Sequence, residues 1–176
     1  MTKILIVNIV ASTKLNSKIA IEKLARNIKG ALYEPEIFPG LYYRLPNKQA
    51  TMTLFASGKI VSTGSKSEET AKNSINQVIY EIKKILNIDT SMNEIKIENI
   101  VSTINLEKTI KLEKLTMKLA GSRLDLEEFP CIFYPFKEKI TLLIFRSGKI
   151  VSVGAKSEKT SRESLTFIKK IIKEFL

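Results

Sequence analysis

The stretch Leu54–Glu68, LFASGKIVSTGSKSE, occurs again as Ile144–Glu158, IFRSGKIVSVGAKSE. Each copy has a Phe before a Ser-Gly-Lys turn, then a β-branched run, and then a Lys-Ser pair that leads into a helical pattern. The sequence therefore predicts a strand-turn-strand-helix unit that is present twice.

One register relates the two copies along each half of the chain. The offset is 91 residues from Asn8 to Asn99 and 90 from Lys59 to Lys149, with one residue lost near the predicted turn at Pro46-Asn47-Lys48. We expect two repeats, residues 1–90 and 91–176, within one continuous domain.

Hydrophobic periodicity predicts the order β-α-β-β-β-β-α in each half. In the first half we expect strands at 4–11, 31–34, 41–45, 50–55 and 59–64, one helix from Asn16 or Ser17 to Gly30, and another from Ser67. In the second half we expect strands at 94–103, 124–126, 132–136, 140–145 and 149–154, and helices at 106–119 and from Ser157. Short hairpins require antiparallel neighbours. The expected fold class is α+β: one curved ten-stranded antiparallel sheet, joined through the first strands, with four helices on its convex face.

Composition disfavours an enzyme. The chain has 176 residues, no histidine and one cysteine, Cys131. That excludes a Cys/His zinc site, an internal disulfide and a Cys–His nucleophile pair. We expect no cofactor and no metal.

The formal net charge is +11 and the pI is about 9.7. This charge fits a polyanionic partner, but a Lys-rich surface from an A·T-rich or thermophilic genome would look the same. Apolar runs are too short to span a bilayer, and we expect a soluble intracellular protein without a membrane partner.

The strands lack the polar alternation of a sheet with one solvated face. In the first strand, one parity holds Leu5, Val7, Ile9 and Ala11, and the other holds Ile4, Ile6, Asn8 and Val10. Asp and Glu are missing from both. The helices can bury only one face, so the other implies a partner.

Eight side chains at matching positions of the two halves are assigned to this second face: Asn8, Val10, Val61 and Thr63, with Asn99, Val101, Val151 and Val153. Its edges are basic, with Arg44, Lys59, Lys66, Lys139, Arg146, Lys149 and Lys156. The A·T-rich minor groove presents only acceptors, so a few donors on an apolar floor suit it, and the guanine amino group would clash. The valines could instead be core residues, and the asparagines could end a ladder or form a bulge.

Two phenylalanine pairs join a loop to the end of a strand, Phe38 with Phe55 and Phe129 with Phe145. Such rings are either core plugs or wedges that enter between base steps and kink the duplex.

The chain resembles the TATA-box-binding protein family in its short archaeal form. The motifs are ILIVNIVAS, YEPEIFPGLYYRL and TLFASGKIVSTGSKSEE in the first half, and IKIENIVST, LEEFPCIFYPF and LLIFRSGKIVSVGAKSEK in the second. The resemblance implies a saddle whose underside straddles the minor groove. It implies a general initiation factor that binds and bends TATA-box DNA and recruits transcription factor B and RNA polymerase. The expected location is the cytoplasm of an archaeal cell, at the nucleoid, or the nucleus of a eukaryote.

The resemblance also implies roles for individual residues. Base contacts are expected from Asn8, Val10, Val61, Thr63, Asn99, Val101, Leu143, Val151 and Val153. The wedges are Phe38, Phe55, Phe129 and Phe145. DNA backbone contacts are expected from Arg44, Ser57, Lys59, Lys66, Lys139, Arg146, Ser147, Lys149 and Lys156. Factor B would contact Asp125, Glu127 and Glu128.

Some positions depart from the family pattern. Cys131 stands at the position of Gly40, Pro135 at that of Arg44, and Val153 at that of Thr63. A divergent paralogue that acts mainly as a protein-interaction module is therefore the second hypothesis. Cys131 is read as a small loop or core residue, with a redox role as the alternative.

Overall fold

The structure is a computed structural model that describes residues 3–46, 49–137 and 139–174. Two residues of the predicted Pro46-Asn47-Lys48 turn lie outside these ranges. The strands are β1 Leu5–Lys14, β2 Gly40–Arg44, β3 Thr51–Phe55, β4 Lys59–Ser65, β5 Lys96–Asn105, β6 Arg123–Asp125, β7 Cys131–Lys137, β8 Ile140–Phe145 and β9 Lys149–Ala155. The helices are α1 Ile21–Asn27, α2 Glu68–Leu86, α3 Leu112–Thr116 and α4 Glu158–Lys173. Across the described residues, no helix is both long and apolar enough to cross a membrane.

The strands form one antiparallel sheet in the order β2-β3-β4-β1-β5-β9-β8-β7-β6. The α+β class and the single antiparallel sheet confirm the prediction, but the described residues hold nine strands instead of ten. The missing strand, predicted at 31–34, is a single bridge between Leu32 and Tyr42. The carbonyl of Glu34 accepts from the amides of Ile37 (3.0 Å) and Phe38 (2.9 Å). Because that carbonyl is used within the loop, pairing stops after one bridge.

The chain divides into two compact units. The first unit is Asn8–Glu98, and the second is Met1–Val7 together with Asn99–Leu176. The repeats predicted at 1–90 and 91–176 concern duplication of the sequence, and those bounds stay a prediction.

Each unit has its own core between strands and helices. The first core includes Ile9, Leu24, Leu41, Leu54, Ile60, Ile75, Val78 and Ile82. The second includes Ile104, Leu112, Leu115, Ile132, Leu142, Ile144, Ile150, Leu165, Ile168 and Ile172. The long helices begin as predicted, because Ser67 Oγ accepts from the Thr70 amide and Ser157 Oγ from the Thr160 amide, both at 3.1 Å. Each hydroxyl satisfies one amide at the helix start that has no partner within the helix.

The two short helices were predicted too long. The predicted cap of α1 was wrong, because Asn16 Nδ2 donates to Ser91 Oγ (2.7 Å) and the helix starts at Ile21 without a side-chain cap. The helix predicted at 106–119 is confined to α3. The amides of Leu106 and Ile110 donate to carbonyls at the β8–β9 turn, which takes the first part of that segment out of a helix.

The single parity predicted for β1 was also wrong. Ile9 and Ala11 are buried, but Leu5 and Val7 are 50% and 42% exposed, and Ile6 is buried instead. The residues up to Val7 belong to the second unit and those from Asn8 to the first. The buried side of the strand therefore changes at this boundary.

Candidate nucleic-acid interface

In each unit the helices cover one side of the strands, and we call the other side the open face. Ile60, Ser62, Ile150 and Ser152 point to the helices and are fully buried. All nine predicted base-contact residues are half-buried: Asn8, Val10, Val61 and Thr63 in the first unit, and Asn99, Val101, Leu143, Val151 and Val153 in the second. These side chains are exposed enough to contact a ligand, and their neighbours lie close enough for them to form a surface together.

Strand register arranges the open face in rows, since directly paired residues share a face. In the first unit one row is Ser12, Val61, Thr53 and Tyr42, and the next is Val10, Thr63, Thr51 and Arg44. In the second unit the matching rows are Thr103, Val151, Leu143 and Phe133, then Val153, Thr141 and Pro135. Small hydroxyl residues in these rows, such as Thr51 and Thr141, were missed by the sequence reasoning. Their two-residue spacing along the predicted strands is the sequence signal that could have placed them on this face.

The asparagines are part of two matched β-bulges. Asn8 Oδ1 accepts from the Gly64 amide, and Asn99 Oδ1 accepts from the Gly154 amide, both at 2.8 Å. The strand register shifts at both places, and both glycines have positive φ, 104° and 100°. The bulge expected as an alternative role for the asparagines is therefore present.

These bulges also fix the direction in which the amide groups point. An amide hydrogen must face an acceptor, so Oδ1 lies toward the glycine and Nδ2 points the other way. Thr63 Oγ1 lies 3.5 Å from Asn8 Oδ1 as a second, weaker donor. Over the described ranges, no hydrogen bond uses Nδ2 of Asn8 or Asn99. Each bulge thus leaves one donor for a ligand on the half-buried face.

One acidic side chain reaches the first open face, which corrects the expectation of a surface without acids. Glu98 Oε1 accepts from Ser12 Oγ at 2.7 Å, and Ser12 pairs directly with Val61. Glu98 is exposed. The alternation of residues along β5 did not identify Glu98, because the buried side of this strand changes between Glu98 and Ile100.

The two rings of each predicted phenylalanine pair are in contact, and a third aromatic ring lies beside each pair. Phe38 and Phe55 lie 5.8 Å apart between ring centroids, and Phe129 and Phe145 lie 5.6 Å apart, both edge to face. Tyr42 stacks on Phe38 at 5.0 Å, and Phe133 lies 6.1 Å from Phe129. Phe129 is 45% exposed, and the other predicted wedges are half-buried. The rings are held in place but are not closed into a core.

Gly40 and Cys131 lie beneath these rings. A Cβ at Gly40 would overlap Phe38, and it would come within 3.1 Å of Phe55. Cys131 occupies the matching position, is fully buried, and its thiol pKa is raised by that burial. A buried thiol is a poor nucleophile, so the structure favours the small core residue over the redox role.

The predicted DNA backbone contacts are all exposed: Arg44, Ser57, Lys59, Lys66, Lys139, Arg146, Ser147, Lys149 and Lys156. Ser57 and Ser147 lie in the β3–β4 and β8–β9 turns, each closed by a bond from the following glycine amide to the preceding phenylalanine carbonyl. Arg146 forms an ion pair with Glu113 of α3 at 2.5 Å. Its guanidinium is therefore drawn toward the helix.

The loop after β6 is organised by the first predicted factor B residue. Asp125 Oδ1 accepts from the amides of Glu127, Glu128 and Phe129 at 3.2, 3.1 and 3.4 Å. These bonds, above all that from Glu128, lower the pKa of the Asp125 carboxyl. Glu127 and Glu128 remain exposed. Asp125 thus holds the loop while the two glutamates face solvent.

No group of three or more His, Cys, Asp or Glu side chains within the described ranges could hold a metal ion.

Comparison with known proteins gives a consistent family. The family described as "Transcription factor TFIID (or TATA-binding protein, TBP)" matches residues 3–85 and again 94–175. The TATA-box-binding protein of Methanocaldococcus jannaschii is 40% identical over 174 residues, which cover 98% of this chain and 94% of that protein. That of Picrophilus torridus is 38% identical over 174 residues, covering 97% and 94%.

A solved structure is similar as well. The Methanococcus jannaschii TBP structure matches with a TM-score of 0.83 and 40% identity, covering 98% of this chain and 99% of that chain. The two segments that the family model matches are separated along the chain by the same offset as the two bulges and the two ring clusters.

Proposed function

The chain belongs to the TATA-binding protein family, and from this membership we propose that it is a TATA-box-binding transcription initiation factor that acts in the minor groove. The family consists of DNA-binding factors and not of enzymes, and we propose no catalytic activity.

The observation that carries the proposal is the pair of outward amide groups in the two bulges. In the minor groove an A·T pair offers only the acceptors adenine N3 and thymine O2. Asn8 and Asn99 would donate to them, while Val10, Val61, Val101 and Val151 would pack on the floor of the groove. A guanine there would bring its amino group against an apolar side chain, which supports a preference for A·T pairs.

The ring clusters support bending. Apolar wedges between base steps unstack them and kink DNA toward the major groove, and this family is a standard example of that effect. Phe129 is the most exposed of the four predicted wedges. We propose Phe38 with Phe55, and Phe129 with Phe145, as the wedges. The exposed lysines at the rim would contact phosphates.

For protein partners we propose transcription factor B on the loop held by Asp125, and through it RNA polymerase. Exposed Glu127 and Glu128 would meet basic groups of the factor. We propose that the protein acts at the nucleoid in the cytoplasm of an archaeal cell.

A gel-shift comparison tests DNA recognition. The probes are a duplex with a TATA box and the same duplex with G·C pairs in its core. We expect binding to the second duplex to be weaker by about tenfold or more. Equal affinity for the two would refute the proposal.

Addition of factor B to the same gel-shift assay tests recruitment. We expect a slower-migrating complex with the wild type, and weaker formation of this complex with Glu127→Lys.

The second candidate is a divergent paralogue that works mainly through protein contacts. Glu98 on the first open face favours it, as do Pro135 and Val153, which replace a cation and a donor of the first half. A tight complex with factor B in the absence of any DNA binding would favour this candidate over the first.

A further inference from the structure

Three aromatic side chains cluster on the helix side of the second unit, away from its open face. Phe167 of α4 lies 5.1 Å from Phe136 and 6.4 Å from Tyr134 of β7, measured between ring centroids. Tyr134 and Phe136 pack partly against the core. Phe167 is 41% exposed. We call these three residues the aromatic patch.

The duplication provides an internal comparison for this patch. The matching residues of the first unit are Tyr43, Leu45 and Gln77. Tyr43 and Leu45 are 6% and 1% exposed, and Gln77 Nε2 donates to Glu81 Oε1 at 3.3 Å. The first unit therefore forms the same helix and strand with a polar residue in place of the phenylalanine. The exposed ring of Phe167 is not required by the packing of the fold.

The surroundings of the patch are basic. Helix α4 carries five basic and two acidic residues, whereas α2 carries three of each. Lys170 follows Phe167 by three residues and so neighbours it on the helix surface. Lys137 Nζ lies 5.2 Å from the Phe136 ring centroid and 3.9 Å from Glu163 Oε2. The first unit has Tyr80 at the position of Lys170, so this cation beside the rings is specific to the second unit.

We propose that the aromatic patch is a docking site for an acidic amphipathic segment of a partner protein. An apolar side chain of the segment would cover Phe167, and its carboxylates would face Lys170 and Lys137. Charge complementarity selects this occupant. Duplex DNA also carries negative charge, but its backbone offers no apolar group to cover the rings. The inference does not depend on the proposed function.

Fluorescence anisotropy with the full chain tests the proposal. The probe is a labelled 16-residue peptide with Leu and Phe on one helical face and Glu on the other. A matched peptide has Ser in place of Leu and Phe and carries the same charge. We expect the first peptide to bind and the second to bind more weakly by about fivefold or more. Equal binding of the two would mean general electrostatic attraction and would overturn the proposal.

Variants locate the site. Phe167→Gln copies the residue of the first unit, and Lys170→Glu reverses one charge beside it. Each should weaken peptide binding by about fivefold or more, while thermal unfolding and TATA-duplex binding stay near wild type. Lys84→Glu on α2 is the charge-matched control and should have less effect than Lys170→Glu. Unchanged binding by Phe167→Gln, or displacement of the peptide by oligothymidine at equal concentration, would overturn the proposal.

Discussion

At the scale of single residues, the two repeated asparagines have a physical cause, because each side chain accepts a hydrogen bond from a glycine amide in a β-bulge. Asn8 and Asn99 could be found from the repeat alone, but the direction of their amides could not. That direction depends on the bulges at Gly64 and Gly154, which appear only once the strands are paired. Glu98 was missed for a related reason, because alternation along a strand does not show where its buried side changes.

Asn99→Asp separates the structural role from the binding role of this residue. The carboxylate can still accept from the Gly154 amide, but its second oxygen replaces the outward donor with an anionic acceptor. We expect affinity for a TATA duplex to fall by about tenfold or more, with a melting temperature near that of the wild type. Anisotropy and thermal unfolding check this. A variant that binds normally, or that loses stability in proportion to affinity, would contradict the assigned role.

Glu98→Gln should strengthen DNA binding. The amide oxygen can still accept from Ser12, while a negative charge close to the duplex is removed. We expect an affinity gain of about two- to tenfold at low salt, which shrinks as salt screens the charge. Glu94→Gln removes the same charge from an exposed position that precedes β5. If the two substitutions change the affinity equally, Glu98 does not lie against DNA.

At the scale of elements, the long strands and the two capped helices could be predicted from sequence, because periodicity and capping are local. The short helices could not. Residues 106–110 bond to the β8–β9 turn, which is distant in sequence, and this overrides the local helical pattern. The first-unit counterpart of β6 was lost for a similar reason, since its loop uses the Glu34 carbonyl.

The contact between α4 and the sheet provides a test of element packing. Ser102 Oγ and Ser161 Oγ form a buried hydrogen bond of 2.5 Å, whereas the first unit has Ala11 and Ala71 at the matching positions. Ser161→Ala leaves a buried hydroxyl unpaired and should lower the free energy of unfolding by about 1–3 kcal/mol. The double substitution Ser102→Ala with Ser161→Ala should restore most of that loss.

Urea unfolding of the two single variants and the double variant measures this coupling. Strictly additive losses would show that the pair acts independently and would contradict the account of this interface.

At the scale of the whole molecule, duplication was the most reliable inference, since an offset of 90–91 residues holds from β1 to α4. Each of the two units contains a β-bulge, a ring cluster and a closed turn. Their differences are as informative as their likeness. The first unit has Thr51, Thr53 and Thr63 on its open face, where the second has Thr141, Leu143 and Val153.

Bending and backbone attraction should be separable in the complete protein. Phe145→Ala should reduce the bend of a doubly labelled TATA duplex, measured by energy transfer, more than Lys149→Ala does. Lys149→Ala should instead reduce the slope of log affinity against log salt by about one. If Lys149→Ala reduced the bend and Phe145→Ala reduced the salt slope, the rings would be core plugs and not wedges.

Recognition from the minor groove is the central claim, and inosine tests it most directly. An inosine·cytosine pair lacks the guanine amino group, so its minor groove resembles A·T while its major groove resembles G·C. The measurement is the affinity for three duplexes that differ only in having A·T, inosine·cytosine or G·C pairs in the core. We predict similar affinities for the first two and a loss of about tenfold or more for the third. An inosine·cytosine duplex that binds as weakly as the G·C duplex would contradict the account.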